Sequence, residues 1–268
     1  MEGNDCYKYR TADRFVRSHG LSPIRTILEI GVNAGAVTLE MHRLWPDARI
    51  VGYEAVEEIF REAVRRTAGI PQIELFHAAV IASHLFSDDL GQERRPEPVP
   101  LRAYLALSTG GPGWPGGSYV GPDGNCPHNY RKLPGEVTAV TLEEAVDGLD
   151  ARTVDYLKCD CEGSEHSLLG CAATDTLERI RFLVGEYHGL ERFYPVVEKL
   201  RTTHYVSLIG GRRLGAFFAE RITDGPTLLR KEPLPPRQYP HLADRPLTWH
   251  PFDRQHIPQA EWLIHGIT

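Results

Sequence analysis

Lysine is scarce in this chain. Only Lys8, Lys132, Lys158, Lys199 and Lys231 stand among its 30 basic residues, and 36 acidic residues outnumber them for a formal net charge of −6. That balance argues against a protein that grips bare nucleic acid through many phosphate contacts, so no nucleic-acid partner is expected. Long apolar runs are missing too: none approaches the ~20 residues a helix needs to cross a bilayer, so no membrane partner is expected. The opening Met1-Glu2-Gly3-Asn4-Asp5 is polar and acidic, unlike a signal peptide. The five cysteines are odd in number and irregularly spaced, which argues against a disulfide framework and for reducing cytoplasm. What remains is ordinary for a globular protein, with 41% hydrophobic and 25% charged residues. A chain of 268 residues can bury a core without staples, and it leaves room for a homo-oligomer.

The pattern along the chain alternates strand and helix. Residues 8–19 read as a leading helix, ended by Leu21-Ser22-Pro23. Apolar, β-branched runs at 26–30, 49–53 and 73–80 read as strands, with helical periodicity at 36–45 and 56–67 between them. The alternation stops between about Ser83 and Gly135, where Gly and Pro are dense, as in Gly110-Gly111-Pro112-Gly113-Trp114-Pro115-Gly116-Gly117. So long an aperiodic stretch reads as an insertion or lid. Strand pattern resumes at 137–140. Thr141-Leu142-Glu143-Glu144 follows, a capping-box signature for a helix start. Residues 154–159 and 181–187 read as strands, 166–179 and 193–202 as helices, and 205–209 with 215–220 as a closing hairpin. The expected organisation is a helical lead-in at 1–22, a cofactor-binding domain at 23–222 with its insertion at 84–136, and a Pro-rich extension at 223–268. The expected fold is a doubly wound, Rossmann-like α/β sheet of seven strands, mostly parallel, with a C-terminal antiparallel hairpin.

The most informative segment is Ile27-Leu28-Glu29-Ile30-Gly31-Val32-Asn33-Ala34-Gly35, a strand ending in acidic-x-Gly-x-x-x-Gly before a helix. Gly31 lets the chain turn sharply against a ligand, Gly35 permits close packing at the helix start, and the helix N-terminus offers free N–H groups. Glu29 can accept from an ammonium group. Glu54 ends the next strand, where an acidic residue accepts hydrogen bonds from a ribose diol. Together these imply an adenosine-bearing cofactor. Asn33 occupies the place of the central glycine of a dinucleotide fingerprint, which disfavours pyrophosphate and an NAD-dependent oxidoreductase. The pattern resembles the first motif of class I S-adenosylmethionine (SAM)-dependent methyltransferases. Ala78 and Ala79, in the third strand, stand where small residues would let an adenine ring approach, or would simply pack the strand end.

The second informative segment is Lys158-Cys159-Asp160-Cys161-Glu162-Gly163-Ser164-Glu165, at the end of the 154–159 strand. Ligands of open α/β sheets bind beyond such strand ends. Alternation would put Asp160 and Glu162 on one side and the two thiols on the other. Asp160 and Glu162 could hold Mg²⁺ through carboxylate oxygens. Cys159-x-Cys161 lacks zinc-site spacing. His188, beside Glu186 at a later strand end, fits a general base by its ordinary pKa, with Asp160 as the alternative base. In the insertion, Trp114, Tyr119 and Tyr130 could stack on a substrate ring, and Glu162 joins them as a substrate-facing residue.

These residues carry a family resemblance. Leu157-Lys158-Cys159-Asp160-Cys161-Glu162-Gly163-Ser164-Glu165 with Leu169-Gly170 resembles the Lys-Ile-Asp-x-Glu-Gly-x-Glu signature of the FkbM family of SAM-dependent methyltransferases. Gly185-Glu186-Tyr187-His188 resembles that family's later Glu-x-His strand end. The resemblance spans about residues 26–220 and departs from the pattern at the two cysteines and the long insertion. It implies SAM as cofactor and O-methylation of a small hydroxyl-bearing substrate, such as a sugar or natural-product scaffold. A non-catalytic scaffold on the same fold is the competing expectation.

Overall fold

Short β-branched runs separated by amphipathic segments pair as parallel strands, because each crossover needs a helix to return the chain to the same edge. A computed structural model of the chain describes residues 12–13, 16–17, 19–82, 104–108, 119–121, 130–132, 137–161, 164–210, 214–223 and 247–248. The first half runs β1 (Thr26–Ile30), α1 (Ala36–Leu44), β2 (Arg49–Glu54), α2 (Glu57–Thr67) and β3 (Ile73–Ile81). Three short strands follow within the insertion: β4 (Tyr104–Ser108), β5 (Tyr119–Gly121) and β6 (Tyr130–Lys132). The second half runs β7 (Thr138–Thr141), α3 (Leu142–Asp147), β8 (Val154–Cys159), α4 (Glu165–Cys171), α5 (Thr174–Glu178), β9 (Ile180–His188) and α6 (Leu190–Leu200). It closes with β10 (His204–Gly210), β11 (Leu214–Arg221) and β12 (Leu247–Thr248).

The main sheet has the order β12-β10-β11-β9-β8-β1-β2-β3-β7. Its seven inner strands are the expected core, and β10 and β11 form the expected antiparallel hairpin, with β11 antiparallel to β9. The 137–140 run, read as a strand, is β7 at one edge, and β12 is added at the other. β3 overruns β2, whose last pair is Glu54 with His77, and the overhanging Ala78–Ile81 pair with β7. β12 pairs with β10 inside the 223–268 stretch, which showed no period in the sequence. The insertion, read as aperiodic, holds a second, antiparallel sheet in the order β5-β4-β6. Among the described residues no helix is long and apolar enough to cross a membrane.

Successive strand residues point to opposite faces, so β1 feeds two cores. Ile27 joins Ile50, Tyr156 and Phe182 on the face covered by Met41 and Trp45, where Ala12 and Val16 also pack. Leu28 joins Val51, Leu157 and Leu183 on the face covered by Leu142, Leu168, Leu177 and Phe193 from α3 to α6. The expected capping box is present at α3: Thr141 Oγ1 accepts from the Glu144 amide, and the Glu144 carboxylate accepts from the Thr141 amide. The single helix expected over 166–179 is two. Ala172 is extended between α4 and α5. Lys199 donates to the carbonyls of Gly170 and Ala172, and Glu143 accepts from the Ala173 amide. Side chains distant in sequence thus satisfy the groups that a continuous helix would have paired.

His204 is buried in this core with a determinate tautomer. Its Nε2 donates to the Ile180 carbonyl at 3.0 Å, which leaves Nδ1, 2.7 Å from Thr203 Oγ1, as the acceptor. Burial pushes its pKa down from 6.5 to about 4. The unfolded chain therefore binds the extra proton between those values, so stability rises with pH through that window and is flat above it. Lowering the pH from 6.5 to 4 is expected to cost about 3 kcal/mol through this residue, by urea denaturation. His204→Gln, which keeps a donor for Ile180, should flatten that limb.

Candidate active site at the carboxyl ends of the central strands

From β1 the chain steps outward to β2 and β3 on one side and later to β8 and β9 on the other. The reversal falls between β1 and β8, and it is at such a point that a doubly wound sheet opens a crevice beyond its strand ends. The loop after β1 is built there. Gly31 has φ +80°, and a Cβ on it would lie 2.0 Å from the Asp160 carbonyl oxygen. The close approach that the sequence assigned to a ligand is therefore made first by the neighbouring strand end. The Gly31 and Val32 amides both donate to the Tyr53 carbonyl, and the Asp160 amide donates to Ile30. Asn33 is also left-handed, at φ 54°, and its Oδ1 accepts from the Ala34 amide. Gly35, φ +79°, caps α1, and a Cβ there would sit 3.4 Å from the Ala63 α-carbon of α2. This is the close packing expected of it.

Glu54 closes one side of the loop. Its Oε2 accepts from the Asn33 amide at 2.8 Å and its Oε1 from the Val56 amide at 2.9 Å. Burial raises its pKa, and the backbone donors of Val56, Asn33 and Ala55 oppose the rise. With three backbone donors on about four lone-pair sites, the carboxylate keeps room for a further donor. Glu29 lies deeper than expected. It is fully buried, accepts from Thr38 Oγ1 at 2.6 Å, and has its pKa raised by burial against the pull of Lys158. In this structure its carboxylate organises the base of the loop, with no surface turned to a ligand.

Asp160 follows β8 directly, with its side chain 23% exposed. The ammonium of Lys158 lies 3.9 Å from its Oδ2, 3.5 Å from Glu29 Oε1, and 2.8 Å from the Gly31 carbonyl to which it donates. The sequence argument used Lys158 only as part of a signature. The overlooked signal was a lysine between Leu157 and Cys159 in the inner half of a buried strand. The expected separation of thiols from carboxylates holds for Cys159 and Cys161, whose sulfurs lie 3.5 Å apart. Both are free, and the contact with Cys159 together with burial pushes the Cys161 thiol well up. The expectation of Mg²⁺ at Asp160 and Glu162 gains no support. Glu162 lies outside the described residues, and among those described no group of three or more His, Cys, Asp or Glu is disposed to hold a metal.

His188 ends β9, three residues beyond Gly185, which is registered opposite Cys159 of β8. The carboxylate within ion-pair reach of it is Glu165, with Oε2 at 3.4 Å from Nδ1. Glu165 starts α4, is 1% exposed, and accepts from the Cys161 amide through Oε1 at 2.9 Å. In the sequence Glu165 stands only as the last letter of the signature, and Glu186 is the carboxylate set beside His188. Glu186 is half-buried on β9, registered against Ala216. Ala78 and Ala79 are nearly fully buried and pack into two hydrophobic clusters on opposite faces of β3. Tyr119 and Tyr130 lie in β5 and β6, registered with Ala106 and Ser108. Trp114 lies outside the described residues.

A mostly parallel sheet in this order, with a glycine loop after β1 and an acidic residue ending β2, defines a Rossmann-like, class I methyltransferase. The methyltransferase FkbM domain matches residues 29–205, and the chain belongs to that family. Among solved structures it is similar to a precorrin-6y C5,15-methyltransferase from Geobacter metallireducens GS-15, at 12% identity, 80% of this chain, 86% of that one and a TM-score of 0.41. It is also similar to the METTL16 methyltransferase domain, at 14% identity, 81% of this chain, 67% of that one and a TM-score of 0.45. None of the curated proteins matches the chain.

The Gly31–Asp160 contact has a direct test. Gly31→Ala would force a methyl group into a backbone carbonyl, so it should destabilise by about 3 kcal/mol or more in urea denaturation. Gly20→Ala is the control. Gly20 also has positive φ, but a Cβ there meets nothing within 4 Å. It should cost only the ~1 kcal/mol of left-handed backbone.

Proposed function

We propose that this protein is a cytoplasmic O-methyltransferase that uses SAM to methylate a hydroxyl of a small metabolite, a sugar or a natural-product scaffold. The observation that carries the reading is the approach of the buried Glu165 carboxylate to within 3.4 Å of His188 Nδ1, beyond the ends of β8 and β9. The donor set fits the cofactor. Glu54 retains acceptor capacity for a ribose diol beside the Asn33 turn, and Asp160 lies across the Gly31 loop from it. When bound, SAM supplies an electrophilic methyl group on a sulfonium.

The acceptor hydroxyl must lose its proton as it reacts. A carboxylate at Nδ1 favours the tautomer with its proton there and leaves Nε2 as the base. Glu165 is fixed for that task by its second oxygen, which is held by the Cys161 amide. Asp160 is the poorer base, because the Lys158 ammonium competes for its Oδ2.

The test is transfer of labelled methyl from SAM to a panel of hydroxylated metabolites, read by mass spectrometry. With a substrate in hand, His188→Ala should lower kcat about 100-fold or more while leaving the KM for SAM within about threefold. Glu54→Gln should do the reverse, raising the KM for SAM about tenfold through loss of a charged acceptor. Wild-type turnover by His188→Ala would remove it as the base.

A further inference from the structure

Lys158 stands directly opposite Glu29 in the β1–β8 register, on adjacent parallel strands. Its side chain is only 10% exposed. A buried ammonium is costly unless its donors are used, and apolar replacement of a whole buried ion pair is often neutral or stabilising. Packing alone therefore does not account for a lysine here. What surrounds its ammonium does: it donates to the Gly31 carbonyl at 2.8 Å and lies within ion-pair distance of Glu29 and Asp160, at 3.5 and 3.9 Å. The Gly31 carbonyl belongs to the first residue of the loop, Glu29 to the strand beneath it, and Asp160 to the strand end across from it. One cation thus ties together the three pieces that form the floor of the crevice. Without it, the Glu29 and Asp160 carboxylates would repel across the point where Gly31 rests on the Asp160 carbonyl. The Gly31 carbonyl would also lose its donor.

We propose that Lys158 is a positioning residue for cofactor binding: its ammonium holds the Gly31 loop and Asp160 in the geometry that receives SAM. It does so from beneath, while His188 and Glu165 act at the mouth. The proposal rests on the SAM-binding reading above. It assigns to Lys158 an effect on cofactor affinity and none on the proton transfer.

The experiment measures the Kd for S-adenosylhomocysteine by calorimetry, with the thermal midpoint, for the full chain and for Lys158→Met and Lys158→Arg. Lys158→Met leaves the buried Glu29 carboxylate unbalanced, so its midpoint should fall below that of the wild type, and it should bind at least about tenfold more weakly. In a transfer assay its kcat at saturating SAM should stay within about threefold, with the loss appearing in the KM for SAM. Lys158→Arg, which keeps the charge, should recover affinity to within about threefold of the wild type. If Lys158→Met does not fold, Glu29→Gln with Lys158→Met removes the unbalanced carboxylate as well, and it should fold and still bind weakly. Wild-type affinity in a folded variant lacking the ammonium overturns the proposal, as does a loss in Lys158→Arg equal to that in Lys158→Met. Failure of the wild type itself to bind S-adenosylhomocysteine overturns instead the reading on which the proposal rests.

Discussion

The α-carbon of Gly31 lies against the backbone carbonyl of Asp160, and no side chain can come between them. That contact brings the ends of β1 and β8 together where the strand order reverses. The Asp160 amide reaches back to Ile30, and the Gly31 and Val32 amides reach sideways to Tyr53 on β2. Three strand ends thus become one surface. Glu54, Asp160 and, through Glu165, His188 are all positioned relative to it. A side chain at position 31 would disturb each of them, because the obstacle it meets is main chain that cannot turn aside.

Charge is distributed around the same point. The net −6 is partly spent on carboxylates at strand ends: Glu29, Glu54, Asp160, Glu165 and Glu186. Burial pushes Glu29 and Glu54 toward protonation, and each is restrained by specific donors. Those donors are backbone amides for Glu54, and a hydroxyl and an ammonium for Glu29. An acidic crevice floor suits a cationic ligand only if its own repulsions are contained, and Lys158 is the cation that meets both Glu29 and Asp160. One of the chain's five lysines is therefore spent in the interior.

Much of the fold was legible because the core strands are short, apolar and separated by helices of recognisable period. The glycine loop, Glu54 and the strand-end position of His188 followed from spacing alone. What escaped depends on partners distant in sequence. The break between α4 and α5 falls at Ala172 and Ala173, which carry no stop signal. Lys199 and Glu143 make it, from α6 and α3. The strand at 137–140 was read, but its place at the edge, against the overrun of β3, cannot be seen without the register. Glu29 has the residue type of a ligand contact, yet its burial turns it inward. Glu165 and Lys158 were visible as letters of a signature, but their roles are set by which atoms they reach. The sheet β5-β4-β6 formed in a segment whose glycines and prolines hid any alternation.

On the proposed reading the surface formed by the ends of β1, β2 and β8 is the cofactor site, with His188 facing the transferred group. A crystal structure with S-adenosylhomocysteine bound tests this most directly. The account predicts the ribose hydroxyls on Glu54, the amino acid portion over Gly31 and Asp160, and the sulfur turned toward the side on which His188 stands. Ribose hydroxyls held elsewhere, or a sulfur turned away from His188 toward the sheet interior, would contradict it.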